Sequence, residues 1–220
     1  MNDRRFAGTL DVALGQSTAL QGILQSAWVD VDFASQRSQA AADMCRVSLD
    51  HAIAVQALLP SLPGSAIALM RLQFESLVRA AWIAHAATEA ELGRLMAPLS
   101  EASQQRAKQL PGVPKMLIDL EKTGPRGAAT LLARARTRLN DGLNSFVHGG
   151  IHPFARQRSG YPDALLYDVL CNTNAFALLS LAVLADLTQD GAWAAALPAL
   201  HQEFADVLPE LEPFPSPPTP

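Results

Sequence analysis

The segment SAIALMRLQFESLVRAAWIAHAA, residues 65–87, carries three charges, Arg71, Glu75 and Arg79, and is otherwise nearly apolar all round. A helix of that kind has no wide polar face to show to water, so it needs neighbours on most of its sides. The rest of the chain supplies them. Alanine and leucine dominate, β-branched residues are sparse, and apolar residues recur at spacings of three and four. The pattern predicts helices over 8–28, 35–59, 64–87, 89–109, 114–122, 126–148, 163–188 and 191–208. No alternating strand pattern bounded by hairpin turns interrupts them, so the expected fold is an all-α bundle of about six to eight helices.

The punctuation agrees with this division. LPSLPGS at 59–65 separates two helices, and LPGVP at 110–114 and TGP at 123–125 bracket a short one. Pro114 and Pro125 suit a first helical turn, where a missing N–H is harmless. In SGYPD, Pro162 starts a helix whose first turn holds Asp163, an acid favoured there by the helix dipole. Residues 1–208 are thus expected to form one helical domain. Prolines at 209, 213, 215, 217, 218 and 220 predict a flexible, extended tail after it.

A hydrophobic fraction of 49% is ample for a core. Cys45 and Cys171 lie far apart in apolar helical segments, which suits reduced, buried thiols better than a disulfide framework. MNDRRF is charged but no apolar run follows it, so no export signal is expected. The longest apolar stretch, AFALLSLAVLADL from Ala175, is broken by Ser180 and ended by Asp186. It reads as a core helix rather than a membrane span, and a soluble cytoplasmic protein is expected.

The net charge of −4 argues against binding nucleic acid or a membrane with the whole surface. The distribution says more. Between Lys122 and Arg158 there are seven basic residues and one acid, Asp141, whereas eight acids and no Lys or Arg follow Arg158. Such a basic island can concentrate an anionic ligand, or it can dock on the chain's own acidic C-terminal half.

Two lines of polar residues stand out on the predicted helices. Arg71, Glu75 and Arg79 follow at four-residue steps and share one helix face. The stripe is either a solvent face or a buried one in which Glu75 must be paired. Arg136, Asn140, Asn144 and His148 form the second line, which starts among Leu132, Leu139 and Leu143 and drifts to the polar edge. Gly149 then suits the left-handed residue that ends a helix, and a histidine in the last turn is favoured when protonated. His148 and His152 have a metal-ligand spacing, but Gly149 and Gly150 break the helix between them and no Cys or carboxylate lies close. No nucleophile elbow or phosphate-cradling glycine loop is present. Neither metal nor cofactor is expected, and His51, His85 and His201 read as isolated packed or solvated side chains.

RLQFESLVRAAW followed by a later helix ending LNSFVHGG resembles uncharacterised bacterial all-helical families related to the HEPN superfamily, over roughly residues 35–188. The resemblance implies a bundle that commonly dimerises, and in many members a metal-independent ribonuclease of toxin–antitoxin or phage-defence systems. The usual motif is an arginine, often followed by a polar residue, then a histidine after four to six intervening positions. Here Asn144 takes the polar position and His148 the histidine, but Leu143 stands where the arginine should be. The resemblance therefore implies either a non-catalytic relative or an arginine arriving from another helix, Arg71 or Arg79. Two functions are carried forward. One is an interaction or sensing module, homodimeric and able to recognise a small anion or a protein partner. The other is a ribonuclease in which His148 acts as acid–base, Asn144 orients it, and Arg136, Arg156 and Arg158 hold RNA phosphates.

Overall fold

The computed structural model of the protein describes residues 9–210. Among them are ten α-helices and no strand: α1 Leu10–Ser26, α2 Gln36–Leu58, α3 Pro63–His85, α4 Glu89–Leu95, α5 Glu101–Ala107, α6 Val113–Thr123, α7 Arg126–Val147, α8 Ile151–Ser159, α9 Asp163–Thr188 and α10 Gly191–Glu203. A 3₁₀ turn, Ala205–Val207, follows. The all-α reading holds, with more helices than expected. The proline-rich tail expected after 208 lies, beyond Glu210, outside the described residues.

Two differences account for the count. The segment read as one helix over 89–109 is two, because Pro98 falls inside it and a proline removes a helical hydrogen bond. Ser100 then starts α5 with a capping box, its Oγ accepting from the Ser103 N–H at 3.1 Å. The second addition is α8, built on the basic stretch after the two glycines. It has no buried residue, so no apolar stripe marked it in the sequence. The last helix is shorter than expected, ending at Glu203. Pro125 is the N-cap of α7 rather than a residue of its first turn.

α2 and α3 pair along their length, and α9 packs across both. α1 and the 3₁₀ turn cover another side of α9, while α10 folds back onto it. α6 and α7 lie against α3, and α8 packs on α7. α3 is therefore enclosed as its composition demands: Ile67, Met70, Phe74, Leu77, Val78, Trp82 and Ile83 are all buried. α9 is long and apolar enough to cross a membrane, but 72% of its apolar window is buried inside the bundle.

Polar side chains stitch these apolar helices together. Asn174 on α9 is fully buried and donates to Ser17 Oγ on α1 at 2.7 Å and to the Val207 carbonyl at 2.9 Å. Its own oxygen accepts from Gln56 Nε2 on α2 at 3.1 Å. Gln73 on α3, also fully buried, donates its side-chain amide to the Thr173 carbonyl at 2.8 Å, and its backbone carbonyl accepts from Ser48 Oγ at 3.0 Å. Arg37 finishes α3 by donating to the Ile83 carbonyl at 2.7 Å while reaching Glu89 at 2.5 Å.

Candidate functional site

α3 and α7 run antiparallel, so the middle of α3 meets the second half of α7. There Arg71, Phe74 and Glu75 share a small cleft of about 100 Å³ with Arg136, Leu139, Asn140 and Leu143, closed at one end by Val113 and Pro114 of α6. Arg71 Nε donates to Glu75 Oε1 at 2.8 Å, and Arg71 Nη2 lies 2.7 Å from the same oxygen. Both side chains are half-buried, 21% and 33% exposed. The α3 stripe is thus neither a plain solvent face nor an interior one; it rims an interhelical cleft.

The charge in that cleft is unbalanced. Glu75 is the one carboxylate in the lining, and Arg71 occupies it. Arg136, half-buried on α7, has no hydrogen bond or ion pair among the described residues. Two guanidinium groups with one carboxylate leave an excess positive charge, in surroundings where screening by water is reduced. Arg79, one turn further along α3, is half-buried, lines no part of the cleft, and also makes no ion pair among the described residues.

The α7 line does not stay in the cleft. Asn144 is half-buried beyond it, and His148 is exposed as the C-cap residue of α7. The local sequence serves a corner between two helices. Gly149 has φ +64°, the left-handed conformation, and the Gly150 N–H donates back to the Ser145 carbonyl at 2.7 Å. Ser145 Oγ then accepts from the His152 N–H at 3.0 Å, capping α8. A Cβ on Gly150 would sit 2.6 Å from Ser145 Oγ and 3.2 Å from its Cα. Phe146 packs between His152 and Tyr161, each ring centre 6.4 Å away.

Past the corner, Arg156 is half-buried and Arg158 exposed, its guanidinium 5.9 Å from the Phe154 ring centre. Arg136, Arg156 and Arg158 form no ion pair with the acidic C-terminal half among the described residues. Among the described residues no three His, Cys, Asp or Glu side chains are grouped to hold a metal ion.

A larger cavity, about 440 Å³, opens at the other end of α3 between α7, α9 and α10. At its edge His85 Nε2 lies 3.2 Å from Asp186 Oδ2. His85 is therefore not isolated, as its lack of sequence neighbours suggested. Burial lowers its pKa below the ordinary histidine value, and the Asp186 charge opposes that shift without overcoming it. Near neutral pH the contact is accordingly one between a neutral imidazole and a carboxylate rather than an ion pair. Nothing in the sequence pairs the two residues; only the parallel packing of α3 on α9 does.

The family model described as a family of unknown function, DUF6988, matches residues 45–210. That span is well over half of the chain, and the chain belongs to this family. No curated protein and no solved structure matches it.

Proposed function

We propose that this member of the DUF6988 family is a non-catalytic interaction and sensing module, a HEPN-like helical domain whose α3–α7 cleft binds a small anion. Arg136 carries the proposal: a half-buried guanidinium without a partner, beside an Arg71–Glu75 pair that is already neutralised. A small oxyanion there would accept charge-assisted hydrogen bonds from both arginines. The HEPN-like assignment rests on the arrangement of RLQFESLVRAAW before LNSFVHGG. With it go a cytoplasmic homodimer and a place in a bacterial defence or toxin–antitoxin type system, reached through a protein partner.

Titration with inorganic phosphate, followed by the amide signals of α3 and α7, tests this. Saturable shifts at Arg71 and Arg136, lost in Arg136→Gln and kept in Arg156→Gln, are expected. Equal shifts in both variants, or none in the parent, would remove the anion site.

A metal-independent ribonuclease is the second reading, favoured by the exposure of His148 and by Arg156 and Arg158 on the following helix, which form no ion pair among the described residues. In that reading His148 exchanges the proton, Asn144 orients it, and Arg71 or Arg79 steadies phosphate charge. Cleavage of defined RNAs in EDTA that disappears in His148→Ala would establish it. Equal inactivity of two folded proteins would leave the binding module.

A further inference from the structure

The cavity of about 440 Å³ at the C-terminal end of α3 stands apart from the anion cleft and has its own chemistry. We propose that it binds a small molecule with an apolar body and a protonated amine, the body lying against Leu77, Ala81, Leu132 and Leu197 and the ammonium held by Asp186 and Asp190. The volume is that of a small-ligand site, and an apolar wall with polar groups at one edge is the form such sites take.

The charge at the edge selects the head group. Asp186 and Asp190 border the cavity, and no Lys or Arg is in its lining. Each carboxylate has one oxygen engaged by the protein: Asp186 Oδ2 by His85 at 3.2 Å, and Asp190 Oδ1 by the Ala192 N–H at 2.8 Å as the N-cap of α10. The second oxygen of each has no partner among the described residues. His85 does not cancel this charge, since burial favours its neutral form. Asp190 also borders a neighbouring hollow that holds Asp30 and Asp32, which adds to the negative potential. An anionic head group would be repelled by these oxygens, and a neutral hydroxyl would donate to them without countering their charge; an ammonium would meet them with charge-assisted hydrogen bonds.

Three probes of one shape separate the possibilities: phenylbutylamine, phenylbutanol and phenylbutyrate, titrated into the full chain near neutral pH and followed by amide shifts and calorimetry. The amine is expected to bind about tenfold more tightly than the alcohol, and the carboxylate more weakly than either. Shifts should fall on Ala128, Ala182 and Ala194, which line the cavity. Asp186→Asn and Asp190→Asn should each reduce amine affinity roughly three- to tenfold and leave the alcohol unchanged; asparagine still caps α10. Ala128→Phe should weaken both the amine and the alcohol. The proposal falls if the alcohol or carboxylate binds as tightly as the amine, or if the two asparagine variants bind the amine unchanged. It falls equally if no probe moves those amides and they shift instead on dilution, which would make the cavity a contact with a second copy of the chain.

Discussion

Asn174 holds four parts of the chain together from within the most apolar helix. From a fully buried position its amide bonds Ser17 of α1, Gln56 of α2 and the carbonyl of Val207. Replacing it by alanine takes this partner from the buried Val207 carbonyl and the part-buried Gln56 amide, while Ser17 Oγ keeps its bond to the Ala13 carbonyl; leaving a buried group unsatisfied costs more than the bond contributes when made. Asn174→Ala is expected to lower the unfolding free energy by roughly 2–4 kcal/mol, read from urea melts. In the sequence Asn174 is an unremarkable polar interruption, because its partners lie on other helices. Ser17, Gln56 and Gln73 were hidden for the same reason. The cysteines were legible: Cys45 and Cys171 are both buried. Burial pushes the Cys45 thiol far above the ordinary range. A thiol-reactive dye should find neither cysteine in the native protein and both in denaturant, since the thiolate is the reacting form.

At the scale of elements, helix ends were easier to read than helix continuity. Gly149 ends α7 in the left-handed conformation, as its position after His148 suggested. The helix that begins two residues later was not visible, because α8 offers no core-facing stripe and exposes Ile151 and Phe154. Ser145 explains how it forms: one residue closes α7 with its carbonyl and caps α8 with its hydroxyl. Pro153 fits because the first-turn N–H it lacks has no helical partner anyway. Ser145→Ala should cost about 1 kcal/mol, the usual value of a lost cap. Gly149→Ala should cost a similar ~1–2 kcal/mol through its positive φ. Hydrogen exchange is the discriminating measurement: in Ser145→Ala the amides of α8 should exchange faster while those of α9 stay protected. Equal acceleration in α9 would mean that the corner is part of the core and not an appendage.

For the molecule as a whole, composition and apolar spacing were enough to specify an all-α bundle around α3. They were not enough to say which polar lines meet. Arg71 and Arg136 share a cleft because two helices run antiparallel, whereas Asn144 and His148, on the same sequence line, fall beyond it. The same long-range packing sets the stability of the whole fold against pH. Burial lowers the pKa of both His85 and His51, in each case against an opposing aspartate, Asp186 and Asp50. In the unfolded chain both histidines titrate near the ordinary value of about 6.5. Below that value the unfolded state binds protons that the native state does not yet bind, so unfolding is favoured as pH falls. The stabilising contribution is therefore complete above about pH 6.5 and is lost as pH falls through the lowered native values. Ordinary carboxylates titrate near 4, which leaves a window of roughly pH 5–6.5 in which histidines dominate the slope. Urea midpoints measured across that window should decline with acidification, and His85→Gln should flatten the decline even where it lowers the midpoint at neutral pH. A variant with the parent's slope would show that His85 is protonated as easily in the fold as outside it, and would take the neutral imidazole from the Asp186 contact.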